Sequence, residues 1–161
     1  MCASPAAADN RRLPLIMAVA DLEDIREDLI VDAVDAALAE ETAHVDASLM
    51  LAIAWGESRL DPLVKTGRVC GSMQTVAESA GQCKDLSSHV KSYRSGAREL
   101  ETLLKDRRVH GSIRRALLYY ACGNSAFTGR CPKSSWPAWV LSRANTLRKR
   151  SVTIFRSNDR S

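Results

Sequence analysis

The sequence predicts a mainly α, single-domain fold, and three observations carry the prediction. Apolar residues recur at three- and four-residue steps in several segments, as they do along one face of a helix. β-Branched residues nowhere form the alternating runs that a sheet requires, and aromatics make up only 5% of the chain. With 161 residues, 45% of them hydrophobic and 26% charged, the chain is the size of one domain and can bury a core without metals or extra chains.

The elements follow in order. Residues 1–20 are expected to be a flexible N-terminal arm, because the first dozen positions are small and polar and the apolar run Leu13 to Ala20 is interrupted by Pro14. That run is too short to span a bilayer, and no small-residue cleavage site follows it as in a secretion signal. The folded domain is expected over 21–150. A first helical stripe runs through Leu22, Ile25, Leu29, Ala33, Val34, Ala37 and Leu38, with Asp28, Asp32, Asp35 and Glu40 on the opposite face. Asp46 is placed as N-cap of a second helix from Ala47 to about Ser58, ending before Asp61-Pro62.

Between Leu63 and Leu86 periodicity is lost and Gly67, Gly71 and Gly81 punctuate a loop with room for a short helical turn, where a ligand would be bound. A long helix resumes near Ser88, with Val90, Tyr93, Ala97, Leu100 and Leu104 in register and Gly96 marking close packing. Ser112 caps a shorter helix through Ala116, Leu117 and Tyr120. A second loop covers Gly123 to Pro132, and Trp136 or Pro137 opens a last helix to about Arg150, leaving 151–161 as a basic tail.

Charge is unevenly placed: residues 1–60 carry twelve Asp or Glu against four Arg, whereas residues 130–161 carry eight Lys or Arg against Asp159 alone. A basic face attracts nucleic acid, anionic lipid and anionic wall polymer alike, so charge alone selects no partner. A solvated helix end and tail are expected, with no nucleic-acid binding. Four of the five cysteines fall in two local pairs, Cys70 with Cys83 and Cys122 with Cys131, each bracketing a loop. Local pairing suggests disulfides and an oxidising compartment, the alternative being reduced, buried thiols. No C-x-x-C occurs and His44, His89 and His110 lie at unrelated spacings, so neither a metal site nor a cofactor is expected. Cys2, followed by Ala3 and Ser4, is a candidate for lipid attachment, and otherwise an ordinary terminal cysteine.

The chemistry concentrates at Trp55-Gly56-Glu57-Ser58-Arg59-Leu60-Asp61-Pro62 and Cys70-Gly71-Ser72-Met73-Gln74. One carboxylate stands near the end of an apolar helix, before a polar turn hinged on glycine. A carboxyl can give up a proton as a general acid at neutral pH when desolvation lifts its pKa from about 4.3 toward 6. Leu51 to Trp55 supply apolar neighbours to Glu57. No convincing second carboxylate accompanies it: Asp61 reads as a turn cap, and Glu78 and Asp85 lie in the loop.

The Glu57-Ser58 pair, Pro62 five residues after the Glu and Gly-x-Met-Gln at 71–74 together resemble the lytic transglycosylases and goose-type lysozymes that cut peptidoglycan strands. Val45 to Leu49 resemble that family's entry into its catalytic helix, and Ala116 to Gly123 its Ala-Leu-x-x-Tyr-Asn-Ala-Gly segment. The similarity covers roughly 28–148 and is strongest between 45 and 75. The resemblance implies a lysozyme-like helical domain with a loop-rich cleft. It casts Glu57 as the catalytic acid, Thr66 as the hydroxyl that hydrogen-bonds it, and Ser72, Met73, Gln74 and Tyr120 as substrate-binding positions. Two positions depart from the pattern, with Ser72 in place of Leu and Ala121 in place of Asn. Trp55, Trp136 and Trp139 read as core aromatics first and sugar-stacking rings second.

A lone carboxylate fits the lytic route, which forms a 1,6-anhydro product without water, whereas a muramidase needs a second carboxylate about 5 to 9.5 Å away. The implied partner is the peptidoglycan strand, and the implied setting is a monomer in the periplasm or outside the cell, including phage and secretion machinery. The rivals are a catalytically weak glycan-binding module and a helical adaptor holding nucleic acid through its basic C-terminus.

Overall fold

The computed structural model describes residues 5–158, and the chain is mainly helical. In order, α1 covers Pro5–Ala20, α2 Glu27–Ala39, α3 Ala47–Ser58, β1 Lys65–Thr66, β2 Val69–Cys70, β3 Thr75–Val76, α4 Ala80–Asp85, α5 His89–Lys105, α6 Ile113–Cys122 and α7 Trp136–Asn158, with a 3-10 turn at Gly123–Phe127.

Helix α3 is the centre of the core. Every residue from Ala47 to Trp55 is buried, which is the signature of a helix apolar on all sides and surrounded by others. It packs on α7, α2 and α5. Asp46 starts it as the spacing predicts: one carboxylate oxygen accepts the Leu49 amide at 2.8 Å, while the carboxylate also grips Arg148 of α7 at 2.7 and 2.9 Å. The helix ends on two left-handed residues, Arg59 (φ 57°) and Leu60 (φ 67°), neither of them glycine. Such a conformation costs roughly 1–2 kcal/mol per residue. It is held because Leu60 is fully buried and its amide donates to the Ala54 carbonyl at 3.2 Å.

The N-terminal arm expected over 1–20 is corrected by α1. Leu15, Ala18 and Val19 are buried in the main core, and Arg11 pairs with Glu41 at 2.7 Å. Pro14 does not end the helix, because α1 lies along α7 and α2, which cover its apolar face. The basic tail expected from 151 is likewise helical: α7 continues to Asn158, with Ile154 against the core. The folded unit therefore exceeds 21–150 at both ends. Cys2 and the last three residues lie outside the described residues. The first predicted stripe becomes helical only at Glu27, after a turn that places Asp24 at φ 59°.

The loop expected over 63–86 holds a small antiparallel sheet in the order β1-β2-β3, with Thr66 opposite Val69 and Cys70 opposite Thr75. Two-residue strands leave no alternation to read. The expected disulfides are present: Cys70–Cys83 ties β2 to α4, and Cys122–Cys131 ties the end of α6 to the segment before α7. Such bridges persist in oxidising compartments. Among the described residues, no helix is long and apolar enough to cross a membrane.

Candidate active site

The turn Gly71–Gln74 is locked to the end of α3 by buried hydrogen bonds. The Ser58 hydroxyl lies 3.0 Å from the Ala54 carbonyl and 2.8 Å from the Ser72 carbonyl, so the serine beside Glu57 is a strut. The Ser72 hydroxyl donates to the Leu60 carbonyl at 3.3 Å and sits 3.0 Å from Nδ1 of His89. Burial pulls the His89 pKa below its usual range, against the raising charges of Asp32 and Asp61, which keeps the ring neutral at pH 7. The Met73 amide donates to the buried Ser92 hydroxyl at 3.0 Å. Gly71, at φ 80°, has no room for a side chain: a Cβ there would meet the Leu86 carbonyl at 2.3 Å. Gly96 of α5 is needed for a different reason, since a Cβ would press on Met73 at 2.6 Å.

Glu57 occupies the last turn of α3 with its side chain 13% exposed, and both its oxygens face the Lys133 ammonium at 3.2 and 3.3 Å. Tyr120 of α6 reaches the same region, its hydroxyl donating to the Met73 carbonyl at 2.6 Å and its ring parallel to Trp136. Burial, followed by the charges of Glu99 and Glu57, pushes the Tyr120 hydroxyl well above its usual pKa. Two carboxyl groups therefore act on one phenol. Glu99 lies three residues after Gly96, which packs on Met73, and four before Leu103, which packs with Tyr120, so the periodicity of α5 aims it at the phenol. Burial also raises the carboxyl pKa of Glu99, which has no hydrogen bond or ion pair among the described residues.

Beside Glu57, a groove of 470 Å³ runs between the end of α3 and the start of α7. Gly56 forms its floor and leaves space for the indoles: a Cβ there would meet Trp139 at 2.7 Å and Trp136 at 3.3 Å. Arg59, Lys133 and Ser135 supply its polar wall. Trp55 is a core residue, its indole N–H donating to the Glu23 carbonyl at 3.1 Å and its ring 5.2 Å from Trp139. Trp136 and Trp139 are partly exposed and line the groove.

The positions singled out in the sequence divide accordingly. Glu57, the turn at 71–74 and Tyr120 are brought together through Ser58 and the Met73 carbonyl. Ser72 and Met73 have no exposed surface, so their side chains brace the turn and do not meet a sugar. Gln74 is half-buried, and its amide donates to the carbonyls of Val64 and Gly71 at 3.0 and 2.8 Å. Thr66 is exposed on β1 and makes no hydrogen bond to Glu57. Asp61 caps its turn as expected, accepting the Leu63 amide at 2.8 Å, and Asp85 is paired with Lys91. Near the departure Ala121, the side-chain oxygen of Asn124 accepts from Tyr119 at 3.0 Å and Arg108 at 3.3 Å.

Lys133, Arg59 and Glu99 join this region only through the fold. Helical register of Glu99 with Gly96 and Leu103 was a signal for the last; nothing local announced the other two. No family model, curated protein or solved structure matches the chain.

Proposed function

We propose that the chain is a peptidoglycan lytic transglycosylase of lysozyme-like fold, cleaving the β-1,4 bond between N-acetylmuramic acid and N-acetylglucosamine with Glu57 as acid and base. The observation that carries the reading is Glu57 itself, a largely covered carboxylate at the end of a buried apolar helix, paired with the Lys133 that lines a neighbouring groove together with two indoles. A single shielded carboxylate able to give and take a proton suits the lytic route, which needs no second carboxylate. In its protonated form Glu57 gives its proton to the oxygen leaving C1 of the muramic residue, while the acetamide of that sugar stabilises the positive centre. The resulting carboxylate takes the proton of the C6 hydroxyl as that oxygen closes on C1. The glycosidic bond is broken, a C1–O6 bond is formed, Glu57 is reprotonated and no water is consumed.

Tyr120 anchors the Met73 carbonyl and so fixes the turn beside the acid. The two disulfides suit the periplasm or the cell exterior, where the substrate lies.

A muramidase is the second reading, and it would need a second carboxyl facing the scissile bond. Glu57→Gln is predicted to fold normally and to clear a suspension of purified cell wall about 10²- to 10⁴-fold more slowly than the wild type. A variant of wild-type activity would remove Glu57 from the reaction. Failure of the wild type to cleave glycan strands, whether in intact wall or freed of their peptides, would favour a glycan-binding module.

A further inference from the structure

The groove beside Glu57 is cationic as well as aromatic. Lys133 enters it from the segment after Cys131, its ammonium 5.8 Å from the Trp136 ring centre and shared between the groove and Glu57. Arg59 enters from the opposite side and pairs with no carboxylate among the described residues; one of its nitrogens is spent on the Trp55 carbonyl at 2.8 Å, leaving the rest of the guanidinium to the groove. No acidic side chain lines this groove. Lys133 over Trp136 and Arg59 at the groove wall, with Trp139 backed by Arg143 at 5.6 Å, fit a sugar ring carrying a carboxylate, the ring beside the indoles and the anion between Lys133 and Arg59.

Resting on the reading of the chain as a peptidoglycan-cleaving enzyme, we propose that this groove selects glycan strands whose muramic lactyl carboxylates are free of peptide, each carboxylate drawing Lys133 away from Glu57. In intact wall that carboxyl is an amide and carries no charge to compete for the ammonium. In stripped strands it is an anion of the same kind as Glu57 itself. Exchange of one carboxylate for the other on Lys133 keeps the cation paired and leaves Glu57 without its counter-ion, facing the bond to be cut. Substrate choice and release of the acid are then one event.

The test uses the full chain as Glu57→Gln, so that bound strands stay uncut. Binding is compared for glycan strands freed of peptides by an amidase and for the same strands with their lactyl carboxyls converted to methylamides. The stripped strands are expected to bind about tenfold or more tightly than the neutral ones. Adding Lys133→Gln shrinks that difference, whereas Lys149→Gln, an exposed cation elsewhere on α7, leaves it in place. Equal binding of the two strands, or an equal loss with Lys149→Gln, overturns the proposal. Cleavage of intact wall by the wild type is recorded in parallel: if it persists while the preference is absent, only the inference about the groove fails. Absence of both cleavage and preference removes the enzymatic reading as well.

Discussion

The turn Gly71–Gln74 and the segment Cys131–Trp136 both reach the end of α3 where Glu57 sits, and each has a disulfide at its edge, yet they are held in opposite ways. The turn is almost wholly buried, with Ser58, Ser72, Met73 and Ser92 joined by hydrogen bonds that see no water. From Pro132 to Ser135 the other segment is exposed, and its link to the site is one ion pair whose lysine is 47% exposed. Buried, fully partnered polar groups resist displacement because an unmade bond there has no solvent to replace it, while a surface pair exchanges partners at little cost. Glu57 is thus mounted on a rigid wall and faced by an adjustable one, the arrangement that the proposed exchange of Lys133 between carboxylates requires.

The largest way to break the comparison is to open the disulfides. Loop lengths of similar size make each bridge worth roughly 3 kcal/mol by chain entropy alone. Replacing Cys70 and Cys83 by alanine also loosens the buried turn, so urea unfolding is predicted to show the full loss together with a fall in wall-clearing activity. Replacing Cys122 and Cys131 is predicted to lower stability no further than that, while uncoupling Lys133 from Glu57. Equal effects of both pairs on activity would erase the contrast.

Single struts give a finer measure. Ser58→Ala leaves the Ser72 carbonyl without its buried donor, and a loss of about 1–3 kcal/mol is expected by denaturant unfolding. Lys133→Gln removes a pair open to water and is expected to cost less than about 1 kcal/mol. The reverse order would place the rigid wall on the wrong side of Glu57.

The smallest effect concerns Glu99. Burial raises its carboxyl pKa, so the folded chain holds that proton more tightly than the unfolded one. The stability this contributes is complete below the ordinary value of 4.5 and is lost as pH rises through the folded value. Glu99→Gln has no charge to bury and is predicted to be the more stable form at pH 8, the gap closing as pH falls below 4.5 in a series of thermal melts. A gap independent of pH would mean that Glu99 is not desolvated.

What was legible in the sequence was what local chemistry writes. Asp46, Ser88 and Ser112 each stand at the N-cap of the helix expected there, and the cysteines paired with their near neighbours. Pro14 misled because its cost is local while the burial that outweighs it comes from α7, far along the chain. The strands at 65–76 are too short to show a period. Ser72 and Met73 were legible as part of the motif but not as buried braces, since their partners His89 and Ser92 lie on another helix. Lys133 met Glu57 only through a chain reversal across 76 residues. Glu57 and the helix that carries it could be found from spacing; the charges around it required the fold.

Mass analysis of the fragments released by the wild type from purified peptidoglycan tests the central claim most directly. The expected fragments carry 1,6-anhydromuramic ends, each one water lighter than its hydrolytic counterpart, and none of them comes from Glu57→Gln. Fragments carrying only reducing-end muramic acid would contradict that claim and transfer the second step to water.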